Sequence, residues 1–405
     1  MTPSSSGCPY SRRKFLQAGA GWVAAAPLLA RALDGEDGDE VPVKRVLKAP
    51  PPPVLSPTAK ANAKVAIVRC REYGAEFQTR LARAFDQLGG VGRLVKDKTV
   101  TIKLNLTGSS FDPLFGRPVG DSFMTHPDTA FALASQLFKA GARRVRFVES
   151  TQRLQSLQEM VSASGGWDLK AFESLGKVEW ENTRNLGSSK QYATVKVPSG
   201  GYLFSSFDLN RAYEDTDVLV SLAKLKNHVT CGVTLAMKNC FGITPNALYG
   251  DEAPNERATA GRGPLHERSS YKGSGLMPGE LKTDLPDSPF LRVPRIVADL
   301  CEARPIHLSV IDGVVSMKGG EGPWAAEVKL TTPGVLIVGL NPVSADAVGT
   351  AVMGYSDPRA VKGVVPFQYG DNHLLLAEQR GVGVLDLKSI EVVGEPIQSV
   401  IYPYG

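Results

Sequence analysis

The sequence predicts an α/β fold: a largely parallel sheet flanked by helices, with a smaller antiparallel extension and a long loop insertion. Three observations carry this. Short β-branched apolar runs recur along the chain, amphipathic stretches alternate with them, and charged side chains gather where the runs end. The runs are KVAIVR at 64–69, TVTIKLNL at 99–106, RVRFVES at 144–150, DVLVSLA at 217–223, HLSVIDG at 307–313, GVLIVG at 334–339 and SIEVVG at 389–394. Their near-continuous apolar character suits strands buried on both faces. Helical stretches fall at 77–88, 127–140 and 344–353, and residues 178–209 look like short antiparallel strands.

Segment 244–289 breaks the alternation. It is rich in glycine, proline and charge, yet holds Arg262, His266 and Arg268. A loop this long in a compact domain is expected to be functional, and 244–290 is a candidate lid.

Length and composition set the class. A chain of 405 residues accommodates two or three domains or one large α/β unit with insertions. The 42% apolar and 21% charged fractions are those of a globular protein. A net charge of +5, without a basic stripe interleaved with aromatics, argues against a nucleic-acid partner.

The N-terminus reads as an address. Arg12 and Arg13 precede Phe15 and Leu16, a weakly apolar run spans 18–30, and Ala30-Arg31-Ala32 offers a cleavage site. Residues 1–32 are therefore expected to be a twin-arginine signal, with the twin-arginine export machinery as partner and a periplasmic or otherwise exported destination. The apolar run falls short of the ~20 residues that span a bilayer, so no permanent membrane anchor is expected. Residues 33–60, acidic and then proline-rich, form an extended linker, and 61–405 form the α/β domain. Beyond Cys8, four cysteines remain: Cys70, Cys231, Cys240 and Cys301. They show no CxxC pair and no zinc or iron-sulfur spacing, so no iron-sulfur cluster is expected. Such scattered cysteines suit small buried residues, or one disulfide in an oxidising compartment.

In open α/β sheets, ligands bind beyond the carboxyl ends of the strands. Lys103 and Asn105 close one run, Glu149 a second, Asp312 a fourth. After the third come Lys224, Lys226 and His228, then Lys238 and Asn239. His126 precedes a helix-starting proline. Lysines there anchor carboxylate or phosphate, and His228 can exchange protons near neutral pH. The candidate catalytic residues are thus His228, Lys226 and Lys238. Lys103, Asn105, Lys224, Asn239 and His266 are candidate substrate ligands, and His126, Glu149 and Asp312 candidate metal ligands. Asp346 suits a helix's first turn without chemical duty. His307 reads as structural and His373 as a loop residue. With no GxSxG elbow and no GxxxxGK[ST] loop, neither a serine hydrolase nor a P-loop nucleotidase is indicated.

The block DVLVSLAKLKNH…GVTLAMKNCFG, with KLNL, His126-Pro127, His266, ADL at 298–300, IDG at 311–313, GGEGP at 319–323 and NPVSADAV at 341–348, resembles the domain-of-unknown-function family 362. The resemblance covers roughly 100–354. Some members carry a ferredoxin-like segment whose cysteines this chain lacks. A fainter similarity links the central block to lactate racemase-like proteins, in which a histidine moves a proton and a lysine anchors a nickel-pincer nucleotide. That resemblance implies His228 and Lys238 in these places, although Ala236-Met237 stands where that family has a glycine pair.

Two functions follow as expectations. One is an exported enzyme acting on a small anionic substrate, with lysines holding charge and His228 transferring a proton. The other is a non-catalytic carrier for an anionic ligand or metal complex. A metal ion is one candidate cofactor.

Overall fold

The computed structural model describes Lys60 and residues 62–186, 191–257 and 261–405. The expected signal and nearly all of the expected linker lie outside these residues. In chain order the strands are β1 (Lys64–Arg69), β2 (Thr99–Lys103), β3 (Arg144–Glu149), β4 (Val178–Asn182), β5 (Tyr192–Lys196), β6 (Ser206–Asn210) and β7 (Val218–Lys224). They continue with β8 (Asn227–His228), β9 (Gly232–Val233), β10 (Leu308–Gly313), β11 (Ser316–Lys318), β12 (Lys329–Thr331), β13 (Val335–Gly339) and β14 (Glu391–Gly394). The helices that matter here are α1 (Ala75–Gln87), α2 (Pro127–Lys139), α3 (Leu157–Ser164), α4 (Leu169–Ser174), α5 (Leu235–Asn239), α6 (Pro289–Ala303), α7 (Pro342–Val352) and α8 (His373–Gln379).

Eight strands form one sheet in the order β14-β1-β13-β10-β7-β2-β3-β4. Only β13 runs against its neighbours; the other pairings are parallel. Helices cover both faces. Phe77 and Leu81 of α1, Leu133 and Leu137 of α2, Leu157 of α3 and Phe172 of α4 pack with Val218, Val220 and Leu222 on one face. On the other, Leu235 of α5, Ile296 and Leu300 of α6, Val348 of α7 and Leu374 of α8 pack with Leu219, Ala223 and Leu225. The alternation of β7 between the two clusters is the period-two pleat of a strand buried on both sides.

The predicted runs become strands with ends shifted by one to three residues, except the first, which matches throughout. Two expectations change. Residues 178–209 do not form one antiparallel extension: β4 joins the main sheet parallel to β3, because α3 and α4 supply the crossover that a parallel pair requires. Only β5 and β6 form an antiparallel hairpin. Helix α6 was not legible, since prolines at 289 and 294 disguise it. Pro289 sits in the first turn, where no intrahelical N–H is needed, and the buried face of Val293, Ile296, Val297 and Leu300 outweighs the bond lost at Pro294. The four cysteines Cys70, Cys231, Cys240 and Cys301 are buried and unbridged.

Beyond β7 the chain makes the small hairpin β8–β9 and turns into α5. Gly232 permits that hairpin at φ +72°: a Cβ there would lie 2.6 Å from the carbonyl oxygen of Pro366. Leu235 enters α5 at φ 44°, a conformation that side-chain-bearing residues rarely adopt. What holds it is Asp346 of α7, whose carboxylate oxygens accept the backbone N–H groups of Ala236 and Met237, each at 2.8 Å. Burial pushes the Asp346 carboxyl up to about 8, and the two N–H bonds oppose that rise. Asp346 thus caps a helix other than its own. Asp346→Ala orphans two buried donors and should cost on the order of 2–4 kcal/mol in urea unfolding, a loss that Asp346→Asn reduces only in part.

Candidate functional site

The polar strand ends sort into two groups. Lys224 continues the face of Val218, Val220 and Leu222, Asp312 that of Leu308 and Val310, so both lie on the α1–α2 side, opposite one another in register. Lys103 alternates with Val100 and Ile102 and so faces the other way, toward α5.

On the α1–α2 face, Lys224 Nζ lies 3.0 Å from Asp312 Oδ2 and donates also to Tyr73 Oη (3.0 Å) and the Val315 carbonyl (2.9 Å). Asp312 further accepts from Thr129 Oγ1 at 3.1 Å and from the Val314 N–H at 3.0 Å. The His126 ring stacks on Tyr73 with centroids 3.6 Å apart, its Nδ1 accepts the Asp128 N–H, and its Nε2 lies 3.3 Å from Asp121. Burial, reinforced by Lys224, lowers the His126 imidazole to about 4. Both charges of the pair are buried and partnered, which is the arrangement of a strut between β7, β10 and the helices. Glu149 belongs to the other group, so the three candidate metal ligands do not converge. Among the described residues, no cluster of three or more histidine, cysteine or acidic side chains could hold a metal ion.

On the α5 face a cavity of about 70 Å³ lies beyond the ends of β2, β3 and β7. Lys103, Asn105, Glu149, Lys226, His228, Lys238 and Asn239 all line it, joined by Arg262 and Glu321. Lys103 Nζ pairs with Glu149 Oε1 at 2.6 Å and donates to the Leu104 carbonyl at 2.8 Å; Glu149 accepts the N–H groups of Leu106 and Ser150. Burial lowers Lys103 and raises Glu149 from their ordinary values, and their mutual attraction opposes both shifts. Gly242 must lack a side chain here, since a Cβ would lie 2.9 Å from Lys103 Nζ. Asn239 binds Ser221 Oγ through Nδ2 at 3.0 Å and accepts from Asn105 Nδ2 at 3.0 Å. Its amide is therefore a pin holding α5 to the sheet. Asn105 Oδ1 is buried and has no hydrogen-bond partner among the described residues.

The remaining cations differ sharply in their partners. Lys226 Nζ donates to the carbonyls of Phe123 (2.7 Å) and Glu321 (2.9 Å), and burial, opposed by Glu321 and reinforced by Lys238, brings it to about 7. Arg262, from the candidate lid segment, donates to the carbonyls of Ser150, Gly242 and Thr244, so its guanidinium ties that segment to the sheet ends. Lys238 donates no hydrogen bond to any described residue. Its ammonium sits 4.4 Å from the centroid of the Phe241 ring. Burial lowers it to about 8, opposed by Cys231 and Glu321 and reinforced by Arg262 and Lys103.

Two buried histidines flank it. His228 Nδ1 accepts the backbone N–H of Thr230 at 3.1 Å. A nitrogen that accepts cannot carry the ring's proton, so the neutral ring is protonated on Nε2. Burial, then Lys238, His266 and Lys226, hold His228 well below its ordinary value. His266 is the opposite case: Nδ1 lies 2.7 Å from the Arg262 carbonyl, which can only accept, so Nδ1 bears the proton. Burial lowers it to about 3. His266 packs edge-on against Phe241, behind the cavity wall. His307 is structural, its Nδ1 accepting the Leu219 N–H. His373 is not in a loop but is the first residue of α8, buried, with neither ring nitrogen partnered among the described residues. Arg262 and Glu321 were missed as site residues because nothing in their local sequence distinguishes them; Glu321 lay inside the GGEGP segment.

Residues 100–351 match the family model described as a domain of unknown function, DUF362, and the chain belongs to that family. A thylakoid-associated protein of Synechocystis is 27% identical over 186 residues, covering 45% of this chain and 51% of that protein. The chain thus spans about half the length of that curated relative. Among solved structures, the lactate racemase apoprotein of Thermoanaerobacterium thermosaccharolyticum aligns at a TM-score of 0.38 and 15% identity, over 72% of this chain and 57% of that one. A Thermotoga maritima protein aligns at 0.31 and 14% identity, over 62% and 54%. No helix of the described residues is long and apolar enough to cross a membrane.

The two lysines should respond oppositely to the same replacement. Lys224→Met strands the buried Asp312 carboxylate and should cost roughly 3–5 kcal/mol in urea unfolding. Lys238→Met removes a buried charge that makes no ion pair with any described residue and should change stability by less than about 1 kcal/mol, or raise it.

Proposed function

We propose that this member of the family binds a small anionic substrate, a carboxylate or phosphate, in the cavity between the sheet ends and α5, and moves a proton on it. The observation that carries the reading is the charge balance of a partly enclosed cavity. Four cations (Lys103, Lys226, Lys238 and Arg262) face two carboxylates (Glu149 and Glu321), and the Lys238 ammonium makes no ion pair with any described residue. An uncompensated buried cation is costly, and an anion delivered by a ligand relieves that cost. The cavity's size suits a ligand of a few heavy atoms. Lys103 and Glu149 shape the wall, Asn239 pins α5, and Lys226, Lys238 and His228 present the groups that meet the ligand. Lys224 is a structural residue in this reading. Export on a twin-arginine signal, with the substrate met outside the cytoplasm, rests on Arg12 and Arg13.

A carrier that binds the same anion without altering it is the second reading, favoured by a histidine whose Nδ1 is already tied to the backbone. Calorimetric titration with glycolate, malonate and inorganic phosphate tests anion binding: a ligand lost in Lys238→Met supports it, and no heat from any of the three sinks it. Solvent-deuterium incorporation into bound glycolate then separates enzyme from carrier.

The pH dependence has a defined sign. Burial brings Lys226 down to about 7 and Lys238 to about 8, and an anion beside them favours their charged forms. Glycolate keeps its charge throughout this range, so its affinity should weaken as pH rises from 7 to 9, by up to about tenfold per unit for each proton taken up. Affinity independent of pH over that interval would remove the lysines from the binding step.

A further inference from the structure

The hydrogen bonding around the two cavity-facing groups assigns their roles more narrowly than charge alone. His228 Nδ1 lies 3.1 Å from both the backbone nitrogen and the hydroxyl of Thr230. The backbone N–H can only donate, so it occupies the Nδ1 lone pair and leaves the proton on Nε2. Nε2 has no protein partner among the described residues, and the ring lines the cavity. Lys238 lines the same cavity, makes no hydrogen bond or ion pair with any described residue, and lies over an aromatic face.

Building on the function proposed above, we propose that His228 is the neutral hydrogen-bond donor to a substrate oxygen, and that Lys238 is the base that accepts the proton of the adjacent carbon. The step balances without a co-reactant. The C–H proton passes to the neutral Lys238 amine, giving ammonium. The electron pair moves into the carboxylate as an enediolate, and its oxygen receives the His228 Nε2–H bond. Return of a proton from Lys238 restores the acid. The lowered Lys238, surrounded by Cys231, Glu321, Arg262, Lys103, Lys226, His228, His266 and His373, yields its neutral amine as pH rises through about 8. A donor whose role is to polarise an oxygen works best as imidazole with its proton fixed, since it never has to exchange it.

The experiment has two arms on the full chain. Long-range proton–nitrogen correlation spectra of histidine-labelled protein, with the His228 signal assigned by its loss in His228→Gln, should show the Nε2-protonated neutral ring from pH 6 to 8. An Nδ1-protonated ring or an imidazolium overturns this proposal and leaves anion binding standing. The second arm follows deuterium entry at C2 of glycolate. His228→Gln keeps an N–H donor and should slow exchange by less than about tenfold, whereas His228→Ala should slow it by about 100-fold or more and Lys238→Met should abolish it. Equal losses in His228→Gln and His228→Ala, with both variants folded, make His228 the base and overturn the assignment. Wild-type protein that binds glycolate but exchanges nothing overturns the base assignment together with the enzymatic reading.

Discussion

The Asp346 carboxylate holds the start of α5 against the end of β7, and the site depends on that contact. Two backbone N–H groups at 2.8 Å fix where α5 begins, and Lys238 and Asn239 follow within one turn. The Asn239 amide then binds Ser221 of β7 and Asn105 beyond β2. A helix of five residues cannot hold its own shape, since so few bonds do not offset the cost of nucleation. Its geometry is imposed by α7 on one side and the sheet on the other. A left-handed residue at Leu235 persists for the same reason: the surrounding contacts outweigh the local preference.

Charge burial explains why two similar clusters of polar strand ends have different fates. Around Asp312 every charged group is answered: Lys224, Tyr73, Thr129 and a backbone N–H meet the carboxylate, and the carbonyl of Val315 meets the lysine. Such a cluster fixes the positions of β7, β10, α2 and the segment before α1 relative to one another. Around the cavity the pairing is incomplete. Among the described residues Lys103 has Glu149 and Lys226 has two carbonyls, but Lys238 has an aromatic face and no hydrogen bond, and Asn105 Oδ1 has no partner. An unsatisfied buried polar group reduces stability, and Asn105 Oδ1 is one that lines this cavity. From segment 244–289 Arg262 joins the cavity lining, bound to backbone carbonyls at three places.

The sequence by itself determined seven of the eight strands of the main sheet, because β-branched apolar runs bounded by turns need no distant information to be legible. It also located the polar strand ends, and seven of the eleven candidate residues meet in one cavity. Tertiary structure decided the rest. Lys224 and Lys226 look alike in the chain, yet Lys224 pairs with a carboxylate 88 positions away while Lys226 turns to carbonyls near the cavity. Arg262 and Glu321 join the site from segments with no periodicity to announce them. The tautomer of His228 is set by the fold of its own hairpin, which brings the Thr230 N–H to Nδ1. The physical reason is general: apolar periodicity is a local property of the chain, whereas the partner of a buried charge is whichever group the packed fold brings within about 3 Å.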